Sequence, residues 1–255
     1  MNAIAKNVNP GGGKTAPLRN VALFHELVLR LKDRPAHLPG WGVFYAVSGL
    51  GKTTAALRGA IATQSLYLEC GSTWTTGSVV DALMHELSIP PFKGSVAKRV
   101  NRIIETLADD PVPLIFDEAD HLVKKSLVDV VREISDKSAA PVILIGEQHL
   151  PSKLQEFERA HNRVLEWVQA EACNLKDAKE LAKLYAGKVE IAEDLLQRIV
   201  TDTDGSTRRI VTNIDRVREF AVRQGLMIIT NKDFPEVIYK GLPPQRSRIN
   251  RGAQA

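Results

Sequence analysis

The chain has 255 residues, 44% of them hydrophobic and 25% charged, an ordinary composition for a folded chain that buries a sizeable core. Two cysteines, Cys70 and Cys173, are too few for a disulfide framework, and no run of about 18 apolar residues offers a membrane span. The net charge of +4 is unevenly placed: residues 1–35 carry six basic and two acidic side chains, residues 240–255 four basic and none acidic, and the interior is therefore at −4. Basic ends on a mildly acidic body suit a polyanionic partner, and they equally suit solvated tails.

In chain order, the Gly/Pro/Asn-rich residues 1–17 predict a flexible basic arm. No apolar run follows Lys6, so a secretory signal is not expected and the chain reads as cytoplasmic. Inside the arm, "GGGKT" (Gly11–Thr15) has the letters of a phosphate loop but the wrong setting: no strand precedes it, and Ala16-Pro17 stands where a helix should begin. An amphipathic helix fits 18–32, with Val21, Phe24, Val28 and Leu31 near helical spacing. Five short apolar runs then predict buried strands at 42–47, 65–70, 112–116, 141–146 and 164–168. Helical patterns separate them, including 121–134 with Val123, Leu127, Val130 and Ile134 on one face. This alternation predicts an α/β chain with a parallel sheet. After Cys173 no further strand is expected, only helices at 177–186, 191–202 and 206–223, the last with Ile210, Ile214, Val217 and Phe220 in phase. The expected division is a basic arm (1–17), an α/β nucleotide-binding domain (18–173), a small helical domain (174–241) and a basic tail (242–255).

The chemistry concentrates at two strand ends. "AVSGLGKTT" (46–54) follows the first strand and runs into a helix, the setting of a P-loop G-x-x-x-x-G-K-[ST], except that Ala46 replaces the first glycine. Ser48, Gly49, Leu50, Gly51, Lys52, Thr53 and Thr54 are the expected ATP-binding residues. Successive amides and the helix dipole would face phosphate, Lys52 would reach the β- and γ-phosphates, and the Thr53 hydroxyl would ligate Mg²⁺. About 64 residues on, "PLIFDEADH" ends the third strand with Asp117 and Glu118. Asp117 is the expected second Mg²⁺ holder and Glu118 the residue that orients and polarises the attacking water. Carboxylates at a strand end also serve as helix caps, but capping accounts for neither the P-loop nor the interval. "DEAD" (Asp117–Asp120) is shared with RNA helicases, which need two RecA-like domains where only one fits this length.

With these motifs the chain resembles an AAA+ ATPase over residues 18–223. The resemblance implies a five-stranded parallel core followed by a helical lid. It assigns a nucleotide-sensing arginine to Arg208 in "GSTRRI", three residues after Gly205, and a trans-acting arginine finger to Arg163, with Arg159 as second candidate. An ordinary surface ion pair is the other reading of Arg163. The residue after the fourth strand is usually Asn, Thr or Ser; here Glu147 stands there, so Gln148 takes the role or hydrolysis is slow. Within this group the chain resembles the target-selecting ATPases of DNA transposition, phage Mu B and its transposon relatives. That resemblance rests on "YLECGSTWTTGSVVDALMHEL" (67–87) and "LIGEQHLPSKLQEFERAHNRVLEWV" (144–168). It implies ATP and Mg²⁺ as cofactors, a homo-oligomeric helical filament or ring on double-stranded DNA, a transposase partner, no membrane, and a bacterial or phage-infected cytoplasm.

Independently of any resemblance, Lys93, Lys98, Arg99 and Arg102 in "FKGSVAKRVNR" have no acidic neighbour before Glu105 and are candidate DNA-phosphate contacts; Lys124 and Lys125 form a second basic pair. A solvated helix face is the alternative for both. Trp74, Thr75 and Thr76 either meet DNA backbone or pack on a neighbouring element. Two other functions remain open: a different DNA-linked AAA+ ATPase such as a helicase loader, and an NTPase switch that binds only proteins.

Overall fold

Each of the five apolar runs forms a strand in the computed structural model, which describes residues 16–241. The expected tail, nearly all of the expected arm, and "GGGKT" lie outside the described residues. The strands are β1 (Trp41–Tyr45), β2 (Leu66–Glu69), β3 (Leu114–Asp117), β4 (Val142–Gly146) and β5 (Val164–Gln169), all parallel, in the order β2-β3-β4-β1-β5. Successive strand residues point to opposite faces, so the near-continuous apolar runs feed two cores. Val43, Leu68, Phe116 and Leu144 pack on one face with α3 (Thr76–Glu86), α4 (Val96–Asp109), α6 (Val128–Ser138) and α7 (Leu150–Gln155). Phe44, Ile115, Ile143 and Ile145 pack on the other with α1 (Arg19–Lys32) and α2 (Lys52–Thr63). The α1–α2 contact is close: a Cβ at Gly59 would lie 2.5 Å from the Phe24 ring, which itself meets Phe44 edge-on with centroids 5.3 Å apart.

Two expectations need correction. The helix expected at 121–134 is split into α5 (Asp120–Lys124) and α6, with Ser126 in the left-handed region at φ 57° and Leu127 N–H donating to Leu122 O at 2.8 Å. Leu122, Val123, Leu127 and Val128 all enter the same core. On one continuous helix they would spread over about 240°, so the break is what lets all four face inward. Strands also do not stop at Cys173. After α8 (Glu158–His161), β5 and α9 (Leu175–Tyr185) come β6 (Glu190–Ile191), α10 (Glu193–Asp202), α11 (Thr207–Gln224) and β7 (Ile228–Ile229), with β6 and β7 paired in parallel. Two-residue strands are too short to leave a periodic signal.

The C-terminal helices enclose a core of their own, with Leu181, Leu195, Ile199, Ile210, Ile214 and Val217 joined by Ile191, Ile229 and Phe234. The helix α9 starts earlier than its apolar pattern, because Asn174 and Asp177 form a reciprocal capping box. No helix among the described residues is long and apolar enough to cross a membrane.

Candidate nucleotide site

The ends of β1, β3 and β4 lie on one edge of the sheet, where open α/β sheets place ligands. From β1 the chain enters the loop 46–51. Ala46 is buried and lies outside the left-handed region, so the departure from glycine there is tolerated. Gly49 (φ 91°) and Gly51 (φ 84°) do adopt that region, and a Cβ on Gly49 would stand 2.9 Å from Ser206 Oγ. Glycine is thus required twice over at Gly49, by its backbone and by its neighbour.

Lys52 opens α2 and folds back over the loop, its Nζ donating to Ala46 O at 2.8 Å and Val47 O at 3.1 Å. Burial lowers its pKa, opposed by the carboxylates of Asp117, Glu118, Glu147 and Asp120. A cavity of about 520 Å³ adjoins the loop. One part of its wall is polar, made by Gly49, Gly51, Lys52, Thr53, Thr54 and Arg208; another is apolar, made by Leu18, Leu181, Leu184 and Val211. The start of α11 is fastened to the loop, since Arg208 N–H donates to Gly49 O at 3.1 Å. Arg208 is exposed and forms no ion pair among the described residues. Ser48 is exposed and Leu50 is turned into the core, so neither side chain lines the cavity.

Asp117 ends β3 and is 2% exposed. Tyr67 on β2 donates its hydroxyl to Asp117 Oδ2 at 2.9 Å, and Glu118 N–H donates to Oδ1 at 2.9 Å. Burial, then the Asp117 charge, push the Tyr67 hydroxyl above the usual phenol range. Glu118 is held in the left-handed region (φ 53°), an uncommon place for a non-glycine residue and one that turns its side chain out of the strand direction. Its carboxyl is raised by burial and by Asp117. Neither acid lines the first cavity; Glu118 lines a second, of about 570 Å³, with Asp120, His121, Glu147 and Lys153. Asp120 ties this wall together, accepting from Glu147 N–H at 2.8 Å and Lys153 Nζ at 2.6 Å. Glu147 stands after β4, as expected, and is exposed. Gln148 accepts a long bond from Gln169 Nε2 at 3.5 Å.

Other expected residues lie elsewhere. Arg163 precedes β5, its carbonyl accepting from Trp41 N–H at the start of β1, the sheet edge opposite the P-loop. Its guanidinium binds Asp136 in bidentate fashion at 2.6 and 3.1 Å, and Asp136 also pairs with Arg132. Arg159 is exposed without an ion pair among the described residues. On α4, the apparent lack of nearby acid does not survive folding: Arg99 pairs with Asp81 of α3, and Arg102 with Glu105 at 3.3 Å. Lys93 and Lys98 stay exposed and unpaired among the described residues. Trp74 packs against the sheet core, Thr75 caps α3 with Ser78, and Lys125 donates to Trp74 O at 3.1 Å. Trp74 thus packs on a neighbouring element, while Thr75 and Thr76 remain exposed.

Sequence reasoning missed Tyr67, Asp120 and Asn20. Asn20 left a readable signal, a polar residue four before Phe24 on the buried stripe of α1. Tyr67 and Asp120 left none, since only strand pairing and the turn after β3 bring them to the site.

The residues present suit a nucleotide with Mg²⁺: a glycine cradle that a Cβ would fill, a lysine at its floor, a threonine on the cavity wall, and a buried carboxylate at the end of β3, one strand removed from β1 on the same edge of the sheet. Among the described residues no cluster of three or more His, Cys, Asp or Glu could hold a metal alone.

Comparison with known proteins bears on family and fold. A family model described as an AAA domain matches residues 9–154, more than half of the chain. No curated protein matches. Among solved structures, Cdc6p from Pyrobaculum aerophilum superposes with a TM-score of 0.62 at 17% identity, covering 87% of this chain and 66% of that one. The Aeropyrum pernix ORC2 protein in ADPNP–ADP complexes gives 0.64 at 14% identity, covering 91% and 70%. The Aeropyrum pernix ORC1 protein in complex with DNA gives 0.54 at 17%, covering 84% and 62%. The chain thus spans about two thirds of the length of these structures, and at such identities they share its fold. Fold and family model agree, and the chain belongs to the AAA family, with the five-stranded AAA+ P-loop NTPase architecture.

Proposed function

We propose that this chain is an ATP-binding, ATP-hydrolysing AAA+ protein that assembles on double-stranded DNA and marks it as a target for a transposase. The observation that carries the nucleotide reading is the 520 Å³ cavity, with Lys52, Thr53 and Arg208 on its polar wall and α11 fastened to the loop at Gly49. Thr53 and Asp117 would hold Mg²⁺, which supplies charge neutralisation on the phosphates. Lys52 and Arg208 would bind phosphate oxygens, Glu118 would orient water, and residues 174–241 would act as the lid. The transposition reading rests on the similarity of residues 67–87 and 144–168 to Mu B-type ATPases. The ORC1 structure in complex with DNA supports DNA as a partner, and the Cdc6 and ORC likeness favours a second reading, an initiator-type or helicase-loading ATPase. Electron microscopy of the protein on duplex DNA, with and without a non-hydrolysable ATP analogue, tests the proposal. ATP-dependent polymers on naked DNA are expected; analogue-independent or absent complexes would overturn it. Stimulation by a transposase, against capture of a replicative helicase, separates the two readings.

If Arg163 is the trans-acting finger, it must exchange Asp136 for a neighbour's phosphate. Both partners are partly exposed, and Arg132 stays on Asp136 when Arg163 leaves, so the acid is not left unpaired by the exchange. Arg163→Ala is then expected to lower hydrolysis by up to about 10³-fold in the DNA-bound assembly, and hardly at all in dilute protein. A loss independent of protein concentration would place the role of Arg163 within its own subunit.

For DNA, the unpaired lysines matter more than the paired arginines. Replacing Lys93 and Lys98 with alanine is expected to flatten the log–log salt dependence of binding by about 0.9 per lost phosphate contact, roughly 2 units per protomer, with ATP affinity unchanged. An unchanged slope would shift the DNA contacts away from α4 and the loop before it.

A further inference from the structure

The first turn of α1 sits where the phosphate loop, the β5–α9 connection and the C-terminal helices meet. Asn20 is buried there, and each bond of its side chain goes to backbone distant in sequence. Its Nδ2 donates to Leu50 O in the loop and to Glu171 O beyond β5, both at 2.9 Å, while Oδ1 accepts from Glu171 N–H at 2.9 Å. Beside it, Arg19 N–H donates to Asp177 Oδ1 on α9 at 3.1 Å, and the Arg19 guanidinium donates to Ala172 O at 2.8 Å. The connection continues from Cys173, whose N–H donates to Gly205 O at 2.9 Å, to Arg208, whose N–H holds Gly49 O. These contacts close a ring: Leu50, Asn20, Glu171, Cys173, Gly205, Arg208, Gly49.

The ring has a geometric consequence at the cavity. Leu50 C=O and Gly51 N–H belong to one planar trans peptide and point in opposite directions. Holding the carbonyl against Asn20 in the core therefore aims the Gly51 N–H away from it, and Gly51 lines the cavity. A phosphate taken up on that amide would load the same peptide that Asn20 grips.

We propose that Asn20 is a positioning residue that orients the Gly51 amide for phosphate and transmits occupancy of the loop to the 171–173 connection and so to the C-terminal helices. The proposal rests on the nucleotide reading of the cavity. A purely structural role would predict lower stability on substitution but no change in how nucleotide affects distant amides.

Amide hydrogen exchange on the full chain, with and without a saturating non-hydrolysable ATP analogue and Mg²⁺, separates the two. In the wild type the analogue is expected to slow exchange both at 49–54 and at the Cys173 amide, which Asn20 does not touch. In Asn20→Asp, which keeps volume and acceptor but loses both donated bonds, and in Asn20→Ala, analogue affinity is expected to fall about tenfold. At saturation the slowing at 49–54 persists, while the slowing at Cys173 falls well below its wild-type size, leaving only what the Gly49–Arg208–Gly205 arm of the ring carries. Slowing of wild-type size at Cys173 in either folded variant overturns the proposal. So does a wild type that responds at 49–54 but not at Cys173, a result that needs no variant to fold. A wild type that responds at neither place overturns the nucleotide reading itself.

Discussion

Lys52→Ala is expected to weaken ATP binding by at least about 10²-fold, measured by calorimetry or by displacement of a fluorescent nucleotide. The lysine stands at the first residue of α2, where its charge adds to the positive end of the helix, and its Nζ now satisfies two loop carbonyls that lie beside the cavity. A hydrogen bond to a charged group contributes about 1.5–3 kcal/mol, and two such contacts to phosphate amount to at least two powers of ten in affinity. Water can replace the lysine on the exposed Val47 carbonyl, but Ala46 is buried, so a loss of about 1–3 kcal/mol of stability is expected alongside. Undiminished affinity in this variant would remove the loop 46–54 as the phosphate site and return "GGGKT" to consideration; Lys14→Ala is the matched control and should bind normally.

Glu118→Gln is expected to keep ATP affinity and lose hydrolysis by about 10²- to 10⁴-fold, the range that positioned general bases supply. The amide preserves shape and the left-handed backbone at 118, while removing the carboxylate charge beside Asp117. Complexes with DNA formed in ATP should then outlive those of the wild type. Single-turnover hydrolysis with radiolabelled ATP checks the first effect, and dissociation from a labelled duplex checks the second. Normal turnover would mean that the water is oriented from another acid on the second cavity, which Asp120, Glu147 and Glu156 also line.

Much of this was legible in the residues. The five strands fall within two residues of their apolar runs; β1, β3 and β4 are buried on both faces and so must be apolar throughout, whereas the edge strands β2 and β5 are only partly buried, contrary to the expectation of five buried strands. The P-loop was legible because glycine, lysine and threonine at fixed spacing after a strand answer a backbone requirement, seen in the positive φ of Gly49 and Gly51. The basic cluster on α4 was read less well: local sequence cannot reveal that Asp81, eighteen positions before Arg99, comes to lie against it. The turn at Ser126 was hidden because it serves four side chains entering a core that only the assembled sheet defines.

Sequence alone determined the five sheet strands and their order along the chain, the glycine-lysine-threonine loop after the first of them and the acidic end of the third, all of which depend on residues close together in the chain. Tertiary structure alone decided which groups those residues meet. Tyr67 reaches Asp117 because β2 pairs with β3, and Asp120 reaches Glu147 because β3 and β4 end side by side. Asn20 reaches Leu50 and Glu171 across 30 and 151 positions because α1 is clamped between the loop and the β5 exit. Hydrogen bonds extend only about 3 Å, so such partners are set by strand order and packing, quantities that no local pattern of residues encodes.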